Sequence, residues 1–171
     1  MDKLKIEYYG HACFRLTYGG QRIVLDPYAD GNVPGLKKLR TEAEFVYCSH
    51  DHDDAGGTLR GKNIIRLFTF GKLRVAHFGD LGRELTSAEA KKLSGLDCVM
   101  LPVGGYFTID GLTAKKVTDA IGPEAVIPMH YRSETAGYDV LGTVDDFFTA
   151  FDGDRPDILP LTVGGWVELE K

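Results

Sequence analysis

The chain is poor in cysteine and has no long apolar run. Its three cysteines, Cys13, Cys48 and Cys98, lie far apart, so no pair has the spacing of a thiolate metal site. Lone cysteines in apolar segments predict buried, reduced thiols in a cytoplasmic protein. No stretch approaches the ~20 apolar residues that span a bilayer. Residues 1–5 lead into a strand-like segment, and we therefore expect neither a signal peptide nor membrane association.

Several catalytic motifs are also missing. There is no G-x-S-x-G sequence, so a serine hydrolase would lack its nucleophile. The pairs Gly56-Gly57 and Gly104-Gly105 match neither a phosphate-binding loop nor a dinucleotide fingerprint. The net charge of −5 argues against nucleic acid, because binding it depends on Lys and Arg to neutralise phosphates. We expect a small-molecule substrate instead.

Glycine and proline punctuate the chain regularly, without a linker or a repeat. At 171 residues, 43% of them hydrophobic, this predicts one domain over residues 1–171. The first half predicts hairpins, and the second half alternates strands and helices, which indicates a layered α/β protein with mixed sheets. The predicted strands are 4–9, 13–18, 22–26, 44–48, 63–70, 73–78, 97–101 and 125–129, with a last hairpin from 158–163 and 166–170. The predicted helices begin near residues 87, 112 and 143.

Histidine and aspartate gather where the predicted strands end. His50 and His52 point to the same side of an extended chain, so the two imidazoles can grip one cation. Asp54 continues that side and offers an oxygen ligand, or a base that orients a metal-bound water. Imidazole and carboxylate are the ligands of a zinc-like ion that keeps one position open for water.

Further candidates follow other predicted strands. Asp80 comes after Gly79, where glycine lets the chain turn, and His130 ends a buried strand, so both are expected metal ligands. His77 is either a hydrogen-bonded core histidine or a general acid that faces the leaving group. His11 and Asp26 are expected to hold ligands in place from behind.

These motifs resemble the metallo-β-lactamase superfamily, whose signature S-H-x-H-x-D is present from Ser49 to Asp54. The order of the motifs resembles most closely the UlaG-like branch of zinc-dependent hydrolases. The other shared motifs are Gly10-His11, Leu25-Asp26-Pro27, His77-Phe78-Gly79-Asp80, Leu101-Pro102-Val103-Gly104-Gly105 and Ile127-Pro128-Met129-His130-Tyr131. The resemblance spans nearly the whole chain and implies a four-layer αβ/βα sandwich with a metal site at the sheet edges.

The resemblance also implies the role of each ligand. His50 and His52 match ligands of a first metal, Asp54 and His130 match ligands of a second, and Asp80 matches the carboxylate that bridges them. One or two zinc ions are therefore expected, with manganese or iron as alternatives.

The chain departs from the family pattern at two places. Ala55 stands where the family has a histidine, and the histidine of a later loop is missing. Residues 53–63 resemble the stretch that follows that missing histidine, so we expect a compact version of the fold with a shortened active-site loop. His52 then fills either its own role or that of the later histidine.

The predicted function is a metal-dependent hydrolase that uses activated water on an ester, lactone, amide or phosphodiester bond. Asp54 would orient or deprotonate the water, and His77 would protonate the leaving group. The alternative is a catalytically impaired member of the fold that binds a ligand or partner. A nuclease would need a basic channel, for which Arg60, Lys62 and Arg66 are too few. Whether the protein is a homo-oligomer is left open.

Overall fold

The computed structural model of the protein describes residues 2–50, 62–153 and 156–171. The strands are β1 (Leu4–Gly10), β2 (Cys13–Tyr18), β3 (Gln21–Leu25), β4 (Phe45–Tyr47), β5 (Arg66–Phe70), β6 (Leu73–His77), β7 (Cys98–Pro102), β8 (Ala125–Met129), β9 (Asp157–Ile158) and β10 (Trp166–Leu169). The helices are α1 (Ser87–Lys92), α2 (Gly111–Ile121) and α3 (Asp145–Thr149). Within the described ranges, no helix is long and apolar enough to cross a membrane.

The strands form two five-stranded sheets. The first sheet has the order β10-β1-β2-β3-β4 and is antiparallel except for the β3–β4 pair. The second has the order β5-β6-β7-β8-β9 and is parallel except for β5. Hairpins followed by strand–helix alternation are what the sequence predicted, and the mixed α/β fold class is confirmed.

The burial of the strands explains the layering. In β1, Leu4, Ile6 and Tyr8 are buried, and they alternate with Lys5 and Glu7, so only one side of this sheet faces a core. Every residue of β7 and β8 is buried, as expected for parallel strands that are covered on both sides. The second sheet is therefore the middle layer of the molecule.

Two cores lie on either side of the second sheet. One core is shared by the two sheets and includes Phe14 and Met100, and the other joins the second sheet to the helices through Val117 and Phe147. The outer side of the first sheet carries no helix in the described part of the chain. Instead it carries ion pairs such as Arg15–Glu7, at 2.8 Å.

The predicted last hairpin is wrong. Strand β9 pairs with β8 in the second sheet, and β10 pairs with β1 in the first sheet. The segment between them crosses from one sheet to the other, because Leu159 N donates to Val126 O and Gly164 N donates to Tyr8 O. The glycine pair at residues 164–165 makes a turn as predicted, but the two flanking strands complete different sheets.

Candidate metal centre

The strand ends of both sheets converge on one site. Three of the residues follow strands of the first sheet: His11 follows β1, Asp26 follows β3, and His50 comes three residues after β4. Asp80 and His130 follow β6 and β8 of the second sheet. The backbone joins the two sets directly, since His130 N donates to His11 O at 2.8 Å.

Backbone strain marks the same site. Among the described residues, four residues other than glycine have positive φ: His11 at 57°, Asp26 at 43°, Tyr106 at 60° and His130 at 55°. Such conformations cost folding free energy and cluster at functional sites. Three of the four are residues that the sequence predicted for this site.

Asp80 lies between two imidazoles. Its Oδ2 is 3.4 Å from His50 Nε2, and its Oδ1 is 3.6 Å from His130 Nε2. Burial by itself would raise the pKa of Asp80, but the imidazole of His130, followed by those of His50 and His11, holds the pKa well below its usual range. Asp80 is therefore an ionised carboxylate at the centre of the site.

Asp26 fixes His50 through Ser49. Ser49 N donates to Asp26 Oδ1 and Ser49 Oγ donates to Oδ2, both at 2.5 Å. Because the hydroxyl proton is used there, Ser49 Oγ accepts from His50 Nδ1, 2.9 Å away. The proton of His50 then sits on Nδ1, and Nε2, which faces Asp80, carries the lone pair of a metal ligand.

The donor atoms fit a divalent cation. Donor atoms of Asp26, His50 and Asp80 lie within 4.8 Å of one another, and both oxygens of Asp26 already accept from Ser49, so His50 and Asp80 are the ones that face a cation. Asp80 Oδ1 is buried without a hydrogen bond from any group in the described residues. A buried carboxylate oxygen in that state is costly unless a cation satisfies it. The arrangement is thus suited to holding a metal ion.

His77 is held inside the protein. Its Nε2 donates to Ala12 O at 2.9 Å, and its Nδ1 accepts from Gly79 N at 3.2 Å. Burial lowers the pKa of His77, against the opposing effect of the nearby Asp26 carboxylate, so the ring is neutral. With both nitrogens engaged, the predicted role as general acid finds no support in the geometry, which favours a core histidine.

The structure describes only some of the other predicted site residues. His52 and Asp54, as well as Ala55, lie outside the described residues. His11, which was expected behind the ligands, stacks its ring against His130 with centroids 3.9 Å apart. Sequence reasoning overlooked Asn63, which donates to Phe78 O at 2.8 Å and accepts from Asp80 N at 2.9 Å. No sequence signal distinguished this asparagine from a polar residue at the start of a strand.

Comparisons with known proteins identify the class. The family model of the beta-lactamase superfamily domain matches residues 5–56 and 49–130. The chain therefore belongs to the metallo-β-lactamase superfamily, as its motifs predicted. Two matches that overlap on residues 49–56 are what a shortened loop at this position would produce.

Individual relatives cover most of the chain. A UPF0173 metal-dependent hydrolase of Natranaerobius thermophilus is 24% identical over 187 residues, covering 76% of this chain and 84% of the relative. One of Thermoplasma acidophilum is 24% identical over 233 residues, covering 100% and 98%. Because an alignment over 233 positions exceeds the 171 residues of this chain, that relative carries residues that this chain lacks.

Solved structures share the fold. A Thermotoga maritima protein of the metallo-beta-lactamase superfamily matches with a TM-score of 0.73 and 30% identity, over 91% of this chain and 97% of that one. A metallo hydrolase of Ignicoccus hospitalis matches with a TM-score of 0.74 and 18% identity, over 99% of both chains. The fold therefore agrees with the family assignment.

Proposed function

We propose that this protein is a metal-dependent hydrolase that holds one or two zinc ions at the metal centre and cleaves a small-molecule substrate. The observation that carries the proposal is the position of the Asp80 carboxylate between His50 and His130. The names of the relatives from Natranaerobius thermophilus and Thermoplasma acidophilum, both called metal-dependent hydrolases, support it.

The donor set favours zinc, because imidazole and carboxylate ligands suit this ion, although manganese and iron accept the same ligands. A bound zinc ion would lower the pKa of a water molecule towards ~7 and polarise the oxygen of the bond to be cleaved. The candidate bonds are those of an ester, a lactone, an amide or a phosphodiester.

The residues of the chain divide the work. Asp80, His50 and His130 would hold the metal, and Asp80 would bridge if two ions bind. Asp26 keeps His50 in the correct tautomer through Ser49. His52 as a further ligand, and Asp54 as the group that orients the water, are proposals from the sequence alone.

Two further parts of the proposal are a cytoplasmic location and a small-molecule substrate. Burial raises the pKa of the Cys13 and Cys98 thiols to about 12, which suits inert thiols in the reducing cytoplasm. The net charge of −5 favours a small-molecule substrate over nucleic acid.

Metal analysis combined with reporter substrates tests the proposal. The protein purified without added metal should contain one or two equivalents of zinc by mass spectrometry. It should hydrolyse at least one of a phenyl ester, a lactone and a phosphodiester reporter, and His130→Ala should lose both metal and activity. The matched control is the exposed Glu134→Ala, which should retain both. Protein that folds but holds no metal and cleaves none of the reporters would instead be the non-catalytic binding module.

A further inference from the structure

Tyr106 shares its backbone strain with the residues of the metal centre. Its φ is 60°, and the other strained residues are His11, Asp26 and His130. The side chain of Tyr106 is 61% exposed, so burial of its ring does not compensate for the strain. A strained residue with an exposed aromatic ring is better explained by a role in binding than by a role in folding.

The loop of residues 104–110, which carries Tyr106, is anchored to both sides of the metal centre. On one side, a Cβ atom on Gly104 would lie 2.1 Å from His130 O, so the two backbones are in direct contact. On the other side, Ile109 N donates to Leu81 O at 2.8 Å, next to Asp80. The tip of the loop is therefore positioned by the neighbours of two candidate ligands.

Aromatic rings lead from the tip of this loop to the centre. Tyr106 and Phe107 are 4.7 Å apart between centroids, and Phe107 and Tyr138 are 6.0 Å apart. Tyr138 in turn lies 5.7 Å from His11, whose ring packs against His130. Tyr138 is thus nearest to the metal centre, and Tyr106 is farthest from it.

The rings of Tyr106 and Phe107 are exposed, and the half-buried ring of Tyr138 is held in place by a hydrogen bond. The Tyr138 hydroxyl donates to Asn32 O at 2.6 Å, which fixes that ring. Phe107 is 42% exposed, and its ring meets those of Tyr106 and Tyr138 edge-on. Each edge-to-face contact covers one face of only one of its two rings, so the exposed rings keep faces that can stack on a further flat group.

We propose that Tyr106, Phe107 and Tyr138 form an aromatic wall that binds the substrate, and that the substrate carries a flat apolar group beside the bond that is cleaved. This inference rests on the proposed hydrolase function. It assigns the substrate class by chemistry: the metal centre takes the polar reacting group, and the wall takes an aryl or similar planar group.

Hydroxamates of increasing size test the wall separately from the metal. Acetohydroxamate, benzohydroxamate and 2-naphthohydroxamate all chelate zinc through the same two oxygens, so they differ only in the group that reaches the wall. By calorimetry on the zinc-loaded protein, benzohydroxamate should bind about 3- to 10-fold more tightly than acetohydroxamate, and the naphthyl compound more tightly again.

Two variants resolve the order of the rings. Phe107→Ala should remove most of the gain for both aryl compounds, and Tyr106→Asn should remove only the additional naphthyl gain. Asparagine tolerates positive φ, so Tyr106→Asn should unfold at an unchanged or higher temperature. Binding of acetohydroxamate should be unchanged in both variants. The control Trp166→Ala, at an exposed aromatic residue outside the wall, should bind all three hydroxamates as the unaltered protein does.

The outcomes separate the two proposals. If the protein binds neither zinc nor any hydroxamate, the hydrolase function fails and the wall loses its role with it. If all three hydroxamates bind equally well to the zinc-loaded protein, the metal centre stands and the wall is wrong. If Tyr106→Asn abolishes self-association, measured by light scattering, and leaves hydroxamate binding unchanged, the rings are a protein interface instead.

Discussion

The two sheets supply the metal centre in different ways. The second sheet is buried on both sides, and its strands bring Asp80 and His130 to the site as rigid strand ends. The first sheet has a solvated outer side, and it holds His50 through the side chains of Asp26 and Ser49. The comparison teaches that one sheet sets the position of the centre through its backbone, and the other completes it through a hydrogen-bond chain.

The largest effect on zinc binding should come from a substitution at Asp80, which follows a strand of the second sheet. Asp80→Asn removes the charge between the two imidazoles, and the affinity for zinc should fall by more than about 100-fold, since the loss of supporting residues alone costs 10- to 100-fold. Competition with a fluorescent chelator measures the change. Asp139→Asn, at an exposed position, is the control and should bind zinc normally. Equal affinities in Asp80→Asn and the unaltered protein would remove Asp80 from the ligand set.

A substitution at Gly79, where the two sheets touch just before Asp80, should have the next largest effect, on stability. At Gly79, with φ of 55°, a Cβ atom would lie 2.3 Å from both Ser49 Cβ and Asn63 Oδ1. Gly79→Ala should therefore lower the free energy of unfolding by about 2–5 kcal/mol, from strain and overpacking together.

The matched control is Gly122→Ala. Gly122 has nearly the same φ, 56°, and no heavy atom within 4 Å of an added Cβ, so only the strain of about 1–2 kcal/mol applies. Urea denaturation measures both values. Similar losses in the two variants would show that the sheets do not press on each other at Gly79.

A smaller effect should follow from breaking the hydrogen-bond chain of the first sheet. Ser49→Ala keeps the backbone donor to Asp26 but removes the hydroxyl that links Asp26 to His50. The affinity for zinc should fall about 10-fold, because His50 loses its fixed tautomer, and stability should fall by about 1 kcal/mol. Chelator competition and urea denaturation test these values, with Ser87→Ala, at an exposed position in α1, as the control. An unchanged affinity would mean that Ser49 does not position His50.

The smallest expected difference is between the rates at which the two sheets open to solvent. Cys13 lies in β2 of the first sheet and Cys98 in β7 of the second, and burial raises the pKa of each thiol to about 12. Neither should react with a thiol reagent except through unfolding, so both labelling rates should equal the global unfolding rate. Mass spectrometry of labelled peptides follows each cysteine separately. Faster labelling of Cys13 would show that the first sheet opens alone.

Local patterns in the sequence predicted the elements well. The strand predicted at residues 4–9 is β1, and the helix expected to begin near residue 87 is α1, which starts with a capping box of Thr86 and Glu89. The sequence also predicted that His50, Asp80 and His130 lie at one site, since each follows the carboxyl end of a strand, although β4 belongs to one sheet and β6 and β8 belong to the other.

Features that depend on distant partners were not predictable. Gly164-Gly165 reads as a hairpin turn whether or not the flanking strands pair with each other. The engagement of His77 depends on the carbonyl of Ala12, which is 65 positions away. The residues around Tyr106 do not predict its positive φ, because the contacts at the two ends of its loop impose that conformation.

The placement of β10 has a consequence for biosynthesis. Because β10 is the edge strand beside β1, β1 forms the edge of the first sheet until residues 166–169 have left the ribosome. At that stage the residues of the metal centre have already been synthesised, but the edge of β1 is still exposed. An exposed strand edge can pair with other chains. Completion of the first sheet is consequently a late event in the synthesis of each molecule.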